Sequence, residues 1–108
     1  MFFILSKDNK TAINDIISKH KCVCLYHWNE CGHCKMLMPT WKKICKKYQN
    51  DKNVLIINIE VENLPLLKSK YKKNIQGFPT IIKYDGGKAL EEYMNERTFA
   101  KLSTFIQK

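Results

Sequence analysis

Two apolar segments separated by an amphipathic one constrain the fold of this chain more than any other feature. Residues 22–28 (CVCLYHW) and 53–59 (NVLIINI) are largely apolar, a pattern typical of strands covered on both faces. Between them, residues 32–49 place apolar side chains at helical spacing and lysines on the opposite side. A strand, a helix and a second buried strand predict a right-handed crossover between parallel strands. We therefore expect an α/β fold with helices on both faces of the sheet.

The other predicted elements extend this pattern in both directions. They are a strand at residues 2–5, a helix capped by Thr11, a short helix at 64–71, strands at 80–84 and 90–93, and a last helix capped by Thr98. Asp-Gly and Gly-Gly steps at residues 85–88 supply the positive φ that a hairpin between the last two strands needs. The predicted order is βαβαβαββα, with a central mixed sheet in one domain spanning residues 1–108.

The charge and the termini bear on partners and location. The chain has a formal net charge of +9, but its lysine rows at residues 42–47 and 68–73 are spaced as solvent-facing helix sides. The one aromatic residue within them, Tyr71, is assigned to packing, so no aromatic residues serve as stacking platforms for bases. We therefore expect no nucleic-acid partner, and steering of acidic protein substrates is the alternative to a merely solvated surface. The opening MFFIL is too short for a signal peptide or a membrane span, and FIQK is no retention signal. These observations predict a cytoplasmic protein with no membrane partner.

The segment NECGHCKMLMP at residues 29–39 carries the most chemistry. Cys31 and Cys34 stand at i and i+3 on the first turn of a predicted helix, about 5 to 6 Å apart, within the range that a disulfide can close. The helix start favours a thiolate at Cys31, and the thiolate is the nucleophile. Cys34, one turn deeper, is then the resolving thiol.

Two other uses of a cysteine pair have weaker support. A zinc site would need further ligands, and Cys22, Cys24, His27 and His33 are near in sequence without a spacing that makes them converge. We expect neither a metal nor another cofactor. A purely structural disulfide is unusual in a cytoplasmic protein. Cys22, Cys24 and Cys45 are interpreted as core residues, and His27 as strand packing, with a role as a donor near the pair as its alternative.

CGHCK, with a proline five residues after the second cysteine, and GFPT at residues 77–80 resemble the thioredoxin superfamily. CGHC specifically resembles the catalytic domains of protein disulfide isomerases, and the predicted order of elements agrees over nearly the whole chain. The resemblance implies a thioredoxin fold and a thiol–disulfide oxidoreductase of the oxidase or isomerase type. Its partners would be protein substrates with thiols or disulfides, and a redox partner such as a sulfhydryl oxidase, a reductase or glutathione.

The resemblance also implies roles for individual residues. The implied catalytic residues are Cys31 as nucleophile, Cys34 as resolving thiol, His33 as a group that stabilises the reduced thiolate, and Arg97 as a cation that favours the Cys34 thiolate. The implied substrate-binding residues are Trp28, Gly32, Phe78, Pro79 and Thr80, with Pro79 in the cis form. A donor or cation between the cysteines makes the disulfide more oxidising, because it stabilises the reduced form.

The chain departs from the family pattern near the cysteines. One extra residue precedes Cys31, and Glu30 replaces the usual tryptophan, so Trp28 is expected to fill that place while the Glu30 carboxylate opposes thiolate formation weakly. The family also keeps a buried carboxylate and a lysine on adjacent strands to move protons for the resolving thiol. Here Cys24 or Leu25 takes the first position and Asn58 the second, which predicts slower proton transfer.

Other functions stay open at this point. The chain could instead be a non-catalytic thioredoxin-fold module for binding or chaperoning, or a thioredoxin-like reductase. A single CGHC domain without a secretion signal also suits a virus-encoded or virion-associated pathway that makes disulfides outside the secretory route.

Overall fold

Strands and helices alternate along most of the chain in the computed structural model, which describes residues 1–108. The elements are β1 (Phe2–Ile4), α1 (Lys10–Lys19), β2 (Lys21–His27), α2 (Gly32–Lys47), β3 (Ile56–Glu60), two 3₁₀ helices (Val61–Leu66 and Ser69–Tyr71), β4 (Thr80–Asp85), β5 (Lys88–Glu92) and α3 (Phe99–Gln107). No helix combines the length and the hydrophobicity that crossing a bilayer requires.

The five strands form one mixed sheet in the order β1-β3-β2-β4-β5. β1, β3 and β2 run parallel, whereas β4 pairs antiparallel with β2 and with β5. Parallel neighbours need a crossover connection, and α1 and α2 provide it, as the alternating pattern predicted. β2 lies at the centre of the sheet and leads directly into the turn before α2. The predicted mixed sheet is therefore confirmed.

Two hydrophobic cores cover the two faces of the sheet. On one face, α1 and the 3₁₀ region pack against alternate strand residues. This core includes Ile13, Ile17 and Tyr71 from the helices and Cys22, Cys24, Tyr26 and Ile57 from the strands. On the other face, α2 and α3 pack against the strand residues in between. This core includes Leu37, Trp41, Ile44, Cys45 and Leu102 from the helices and Val23 and Leu25 from the strands. Because successive strand side chains point to opposite faces, Cys24 and Leu25 belong to different cores.

Local signals in the second half of the chain have the predicted effect. Gly86 and Gly87 adopt φ values of 59° and 85°, which matches the positive φ expected for the hairpin turn. The Thr98 side chain accepts a hydrogen bond from the backbone N–H of Lys101, so Thr98 caps α3 as predicted.

Two predictions of local structure are wrong. Thr11 lies inside α1, whose N-cap is Asn9; the Asn9 side chain bonds to Ser6 N and Ile4 O instead and thereby forms the turn before the helix. The short α-helix expected at residues 64–71 is replaced by the two 3₁₀ helices.

The 3₁₀ region has a physical reason in Pro65 and Asn14. Pro65 lacks a backbone N–H and lies inside the first 3₁₀ helix. The buried Asn14 side chain on α1 donates to Leu66 O at 3.0 Å and accepts from Lys68 N at 2.9 Å. These bonds to a distant helix satisfy backbone groups that a continuous α-helix would have paired internally.

Candidate active site

The cysteine pair lies at the junction of β2 and α2. Residues 28–31 form a turn in which Cys31 N donates to Trp28 O at 3.0 Å, and this turn accommodates the extra residue before the pair. Cys31 is the N-cap of α2, and Lys35 N donates to its carbonyl at 3.0 Å. Cys31 therefore stands at the positive end of the helix, as the sequence predicted.

The two thiols differ in exposure and in acidity. Cys31 is half-buried, and the backbone N–H of Cys34, supported by the Cys34 thiol and the backbone N–H of His33, lowers the pKa of its thiol. Cys34 is only 1% exposed, and burial raises the pKa of its thiol although Trp28 N donates to its sulfur at 3.5 Å. An accessible acidic thiol thus lies beside a protected one.

The loop before β4 contacts the exposed thiol. The Cys31 Sγ donates to the carbonyl oxygen of Phe78 at 3.4 Å, and the peptide bond between Phe78 and Pro79 is cis. The Thr80 hydroxyl donates to Gly77 O at 2.7 Å, a bond within the loop itself. The structure therefore brings Phe78 and Pro79 to the cysteine pair, while the side chain of Thr80 holds the shape of the loop.

The charged groups around the pair act to different extents. The exposed guanidinium of Arg97 is close enough to lower the pKa of both thiols, although it is not the main cause for either. His33 acts on Cys31 through its backbone, and its exposed imidazole forms no hydrogen bond. Glu30 is exposed, and it is not among the causes of the Cys31 pKa shift. The opposing effect expected from Glu30 is therefore not seen.

The two remaining predicted substrate-binding residues lie near Cys31 in the chain. Trp28 is exposed and lies in the turn before Cys31. Gly32 begins α2, and a Cβ placed there would meet no atom within 4 Å. The surface beside Cys31 is thus open at Gly32 and carries an aromatic ring at Trp28.

The positions of the family's proton-transfer pair hold no ionisable group. Leu25 and Asn58 are direct partners in β2 and β3, and Leu25 lies on the α2 face, which identifies it rather than Cys24 as the first position. The buried Asn58 side chain accepts a hydrogen bond from Trp41 Nε1 at 2.7 Å. Asn58 therefore anchors the helix that carries the cysteines and does not move protons.

The other cysteines do not join the site. Cys22 and Cys24 are buried on the α1 face, and Cys45 is buried in the core under α2, as their interpretation as core residues predicted. His, Cys, Asp and Glu side chains nowhere gather in a group of three or more that could hold a metal ion. The cysteines and histidines near the pair in sequence thus do not converge on it as zinc ligands.

One buried polar residue near the pair was interpreted mainly as packing, with a role as a donor as the alternative. His27, the last residue of β2, is 8% exposed, and its Nδ1 is enclosed without a hydrogen-bond partner. It lines a cavity of about 410 Å³ together with Cys34. The sequence feature that could have identified it is its position two residues after Leu25, because alternate residues of a strand lie on the same face of the sheet.

Comparisons with known proteins agree with this architecture. The thioredoxin family model matches residues 4–108. The chain is 33% identical to protein disulfide-isomerase of Saccharomyces cerevisiae over 111 residues, covering 99% of this chain and 20% of that protein. It is 32% identical to protein disulfide isomerase-like 1-1 of Arabidopsis thaliana over 109 residues, covering 98% of this chain and 22% of that one. The chain thus spans about a fifth of the length of these relatives.

Solved structures show the same fold. The first two thioredoxin domains of Naumovozyma dairenensis Eps1p match 98% of this chain, and 40% of theirs, with a TM-score of 0.78 at 22% identity. Oxidised thioredoxin from Plasmodium falciparum matches 99% of this chain and 96% of its own, with a TM-score of 0.69 at 21% identity. The sheet and its helices are thus a thioredoxin fold, as the resemblance implied, and the chain belongs to the thioredoxin superfamily. More narrowly, the chain is similar to one domain of these protein disulfide isomerases.

Proposed function

We propose that this domain is a thiol–disulfide oxidoreductase of the oxidase or isomerase type that exchanges disulfides with protein substrates. The observation that carries the proposal is the difference between the two thiols. Cys31 is accessible with a lowered pKa, whereas Cys34 is buried with a raised one. Exchange needs one thiolate that attacks from outside and one that attacks only after a mixed disulfide has formed.

The reductive half of the cycle follows from this difference. The Cys31 thiolate attacks a substrate disulfide, whose S–S bond breaks, and the first substrate thiolate leaves and takes up a proton. Cys34 then loses its proton and attacks the Cys31 sulfur of the mixed disulfide. The second substrate thiolate leaves, so two electrons have passed to the substrate and a Cys31–Cys34 disulfide remains. Oxidation of a substrate dithiol is the reverse of these steps.

The surroundings of Cys31 supply the contacts for a substrate chain. A chain joined to Cys31 would lie beside the Phe78 carbonyl, which is 3.4 Å from the Cys31 sulfur. Pro79 and Thr80 follow Phe78 in the same loop, and the exposed Trp28 ring and the open surface at Gly32 also lie near Cys31 in the chain. These residues can hold an extended polypeptide through backbone hydrogen bonds and apolar contacts, without a deep pocket.

Several groups favour the reduced state and hence an oxidising disulfide. The helix start, the backbone N–H of His33 and the charge of Arg97 all stabilise the Cys31 thiolate. Stabilising the reduced form makes the disulfide a stronger oxidant. Repeated oxidation would then need a partner that restores the disulfide, such as a sulfhydryl oxidase, whereas a reductase or glutathione would serve the opposite direction.

The reduction potential of the pair tests this proposal first. The domain is equilibrated with glutathione buffers, and its thiols are counted by alkylation and mass spectrometry. We expect a reduction potential of about −180 mV, similar to that of protein disulfide isomerase. A reduction potential of about −270 mV would instead indicate a thioredoxin-like reductant. A cysteine pair that never forms a disulfide would indicate a non-catalytic binding module.

Variants identify the thiols that react. With a disulfide-containing protein, Cys34→Ser is expected to accumulate a mixed disulfide at Cys31, because the resolving thiol is gone. Cys31→Ser is expected to abolish exchange. Cys45→Ala is the control, since Cys45 lies in the core away from the pair and is expected to retain exchange. Equal activity of Cys31→Ser and the wild type would contradict the proposal.

A further inference from the structure

The chemistry at Cys34 requires a proton acceptor. Burial raises the pKa of the Cys34 thiol, so at neutral pH the thiol must be deprotonated before it attacks the mixed disulfide. Leu25 and Asn58, at the positions where the family keeps an ionisable pair, cannot accept a proton. Arg97 can favour the thiolate but stays charged itself and so takes no proton from it.

His27 has the location that such an acceptor needs. It follows Leu25 by two residues on β2, so its side chain lies on the same face of the sheet, nearer to the cysteine pair. His27 and Cys34 line the same cavity of about 410 Å³, which is large enough for water to bridge them. The next residue, Trp28, donates its N–H to the Cys34 sulfur at 3.5 Å.

The imidazole also has unused hydrogen-bonding capacity. His27 is 8% exposed, its Nδ1 is enclosed, and that nitrogen has no partner in the protein. Buried polar atoms are nearly always paired, so an unpaired one in a residue that shares a cavity with a reactive thiol points to a functional role. Burial lowers the pKa of His27, which keeps the imidazole neutral and able to accept a proton at neutral pH.

Glu60 is placed to stabilise the imidazolium that would form. It is the register partner of His27 on β3 and is half-buried, and its negative charge acts to raise the pKa of His27. The other titratable groups that line the cavities beside His27 all belong to α2. They are Cys34, Lys35, Lys42, Cys45 and Lys46. Glu60 is therefore the only carboxylate there.

We infer that His27 is the proton acceptor for Cys34 during closure of the disulfide. This inference rests on the proposed function. The unprotonated ring nitrogen of His27 takes the Cys34 proton, directly or through one water, as the Cys34 sulfur bonds to the Cys31 sulfur. The bond between Cys31 and the substrate sulfur breaks, and the substrate leaves as a thiolate. His27 then gives its proton to solvent or to that thiolate, so protons and electrons balance.

A single-turnover experiment separates the two chemical steps. The reduced domain is mixed with oxidised glutathione, samples are quenched with acid, and mass spectrometry follows the glutathionylated and the closed forms. Attack by Cys31 is the second-order step, and closure by Cys34 is the first-order step. For His27→Gln we expect closure to slow by about 10² at pH 7, the lower range for loss of an acid–base group, with attack unchanged. The pH profile of closure should also lose the ionisation of a histidine and keep only that of a thiol.

Two further variants control the test. His20→Gln removes an exposed histidine at the end of α1 and is expected to close like the wild type. Glu60→Gln is expected to slow closure by about tenfold, and it serves in place of His27→Gln should circular dichroism show that the latter is unfolded. Wild-type closure rates and pH profiles in folded His27→Gln or in Glu60→Gln would overturn the inference. A wild-type domain that is attacked but never closes would instead overturn the proposed function.

Discussion

The hydrogen bond between Trp41 and Asn58 offers a quantitative test of how the helix that carries the cysteines is fixed to the sheet. Trp41 on α2 is fully buried, and its Nε1 donates to the Asn58 Oδ1 on β3 at 2.7 Å. Asn58→Leu keeps a similar volume but leaves the indole N–H enclosed without an acceptor. An unsatisfied buried donor costs about 1 to 3 kcal/mol, and we expect that loss in the free energy of unfolding.

A double-mutant cycle isolates the contribution of this bond. Trp41→Phe removes the donor and part of the packing, and the double variant removes both partners at once. We expect the double variant to be about 1 to 2 kcal/mol more stable than the sum of the single losses, since no unpaired donor remains. Urea unfolding followed by circular dichroism gives the four free energies. Asn50→Leu, at an exposed position, is the control and should change stability by less than about 0.5 kcal/mol. Additive single losses would refute the reasoning.

Three further outcomes follow from the structure. At pH 7, brief treatment with iodoacetamide should label Cys31 before the four buried cysteines, because Cys31 is more exposed and its pKa is lowered. Peptide mapping that finds another cysteine labelled first would contradict this expectation. Gly87→Ala should lower the free energy of unfolding by about 2 to 3 kcal/mol, because the φ of Gly87 is 85° and a Cβ there would lie 3.1 Å from the Tyr71 hydroxyl. Gly86→Ala, whose Cβ would meet no atom within 4 Å, should lower it by about 1 kcal/mol. Equal urea midpoints for the two variants would contradict this. Folding lowers the pKa of His27, so the free energy of unfolding should be highest above the pKa of the unfolded histidine, about 6.5, and should fall as the pH drops through that value. His27→Gln should flatten this pH dependence in urea titrations at about pH 5 to 7.5.

The features that could be predicted from the sequence depend on local physical rules. Apolar runs of strand length, amphipathic spacing and two glycines that supply positive φ identify the sheet, the helices on its faces and the hairpin. Thr98 caps α3 because a side-chain oxygen at that position satisfies a helix N–H only a few residues away. The location of Cys31 at the start of α2 follows from the same local pattern.

The features that could not be predicted depend on contacts between distant parts of the chain. Asn14 bonds to the 3₁₀ region more than fifty residues later, and no periodicity in residues 64–71 reveals that partner. Asn9 displaces Thr11 as the N-cap because its side chain is used in the preceding turn. His27 is interpreted mainly as a strand residue until the fold shows that its Nδ1 is buried without a partner and that the residue lines a cavity with Cys34.

The distribution of the cysteines over the two cores has a consequence for the domain itself. A reactive sulfur such as that of Cys31 can be captured by any other thiol of the same molecule within reach. Here Cys22 and Cys24 are buried in the core on the α1 face of the sheet, while Cys45 is buried in the core under α2. The one internal thiol next to Cys31 is Cys34, with which a bond is productive. Burial of the other three thiols thus keeps them from forming a disulfide with Cys31 within the same molecule.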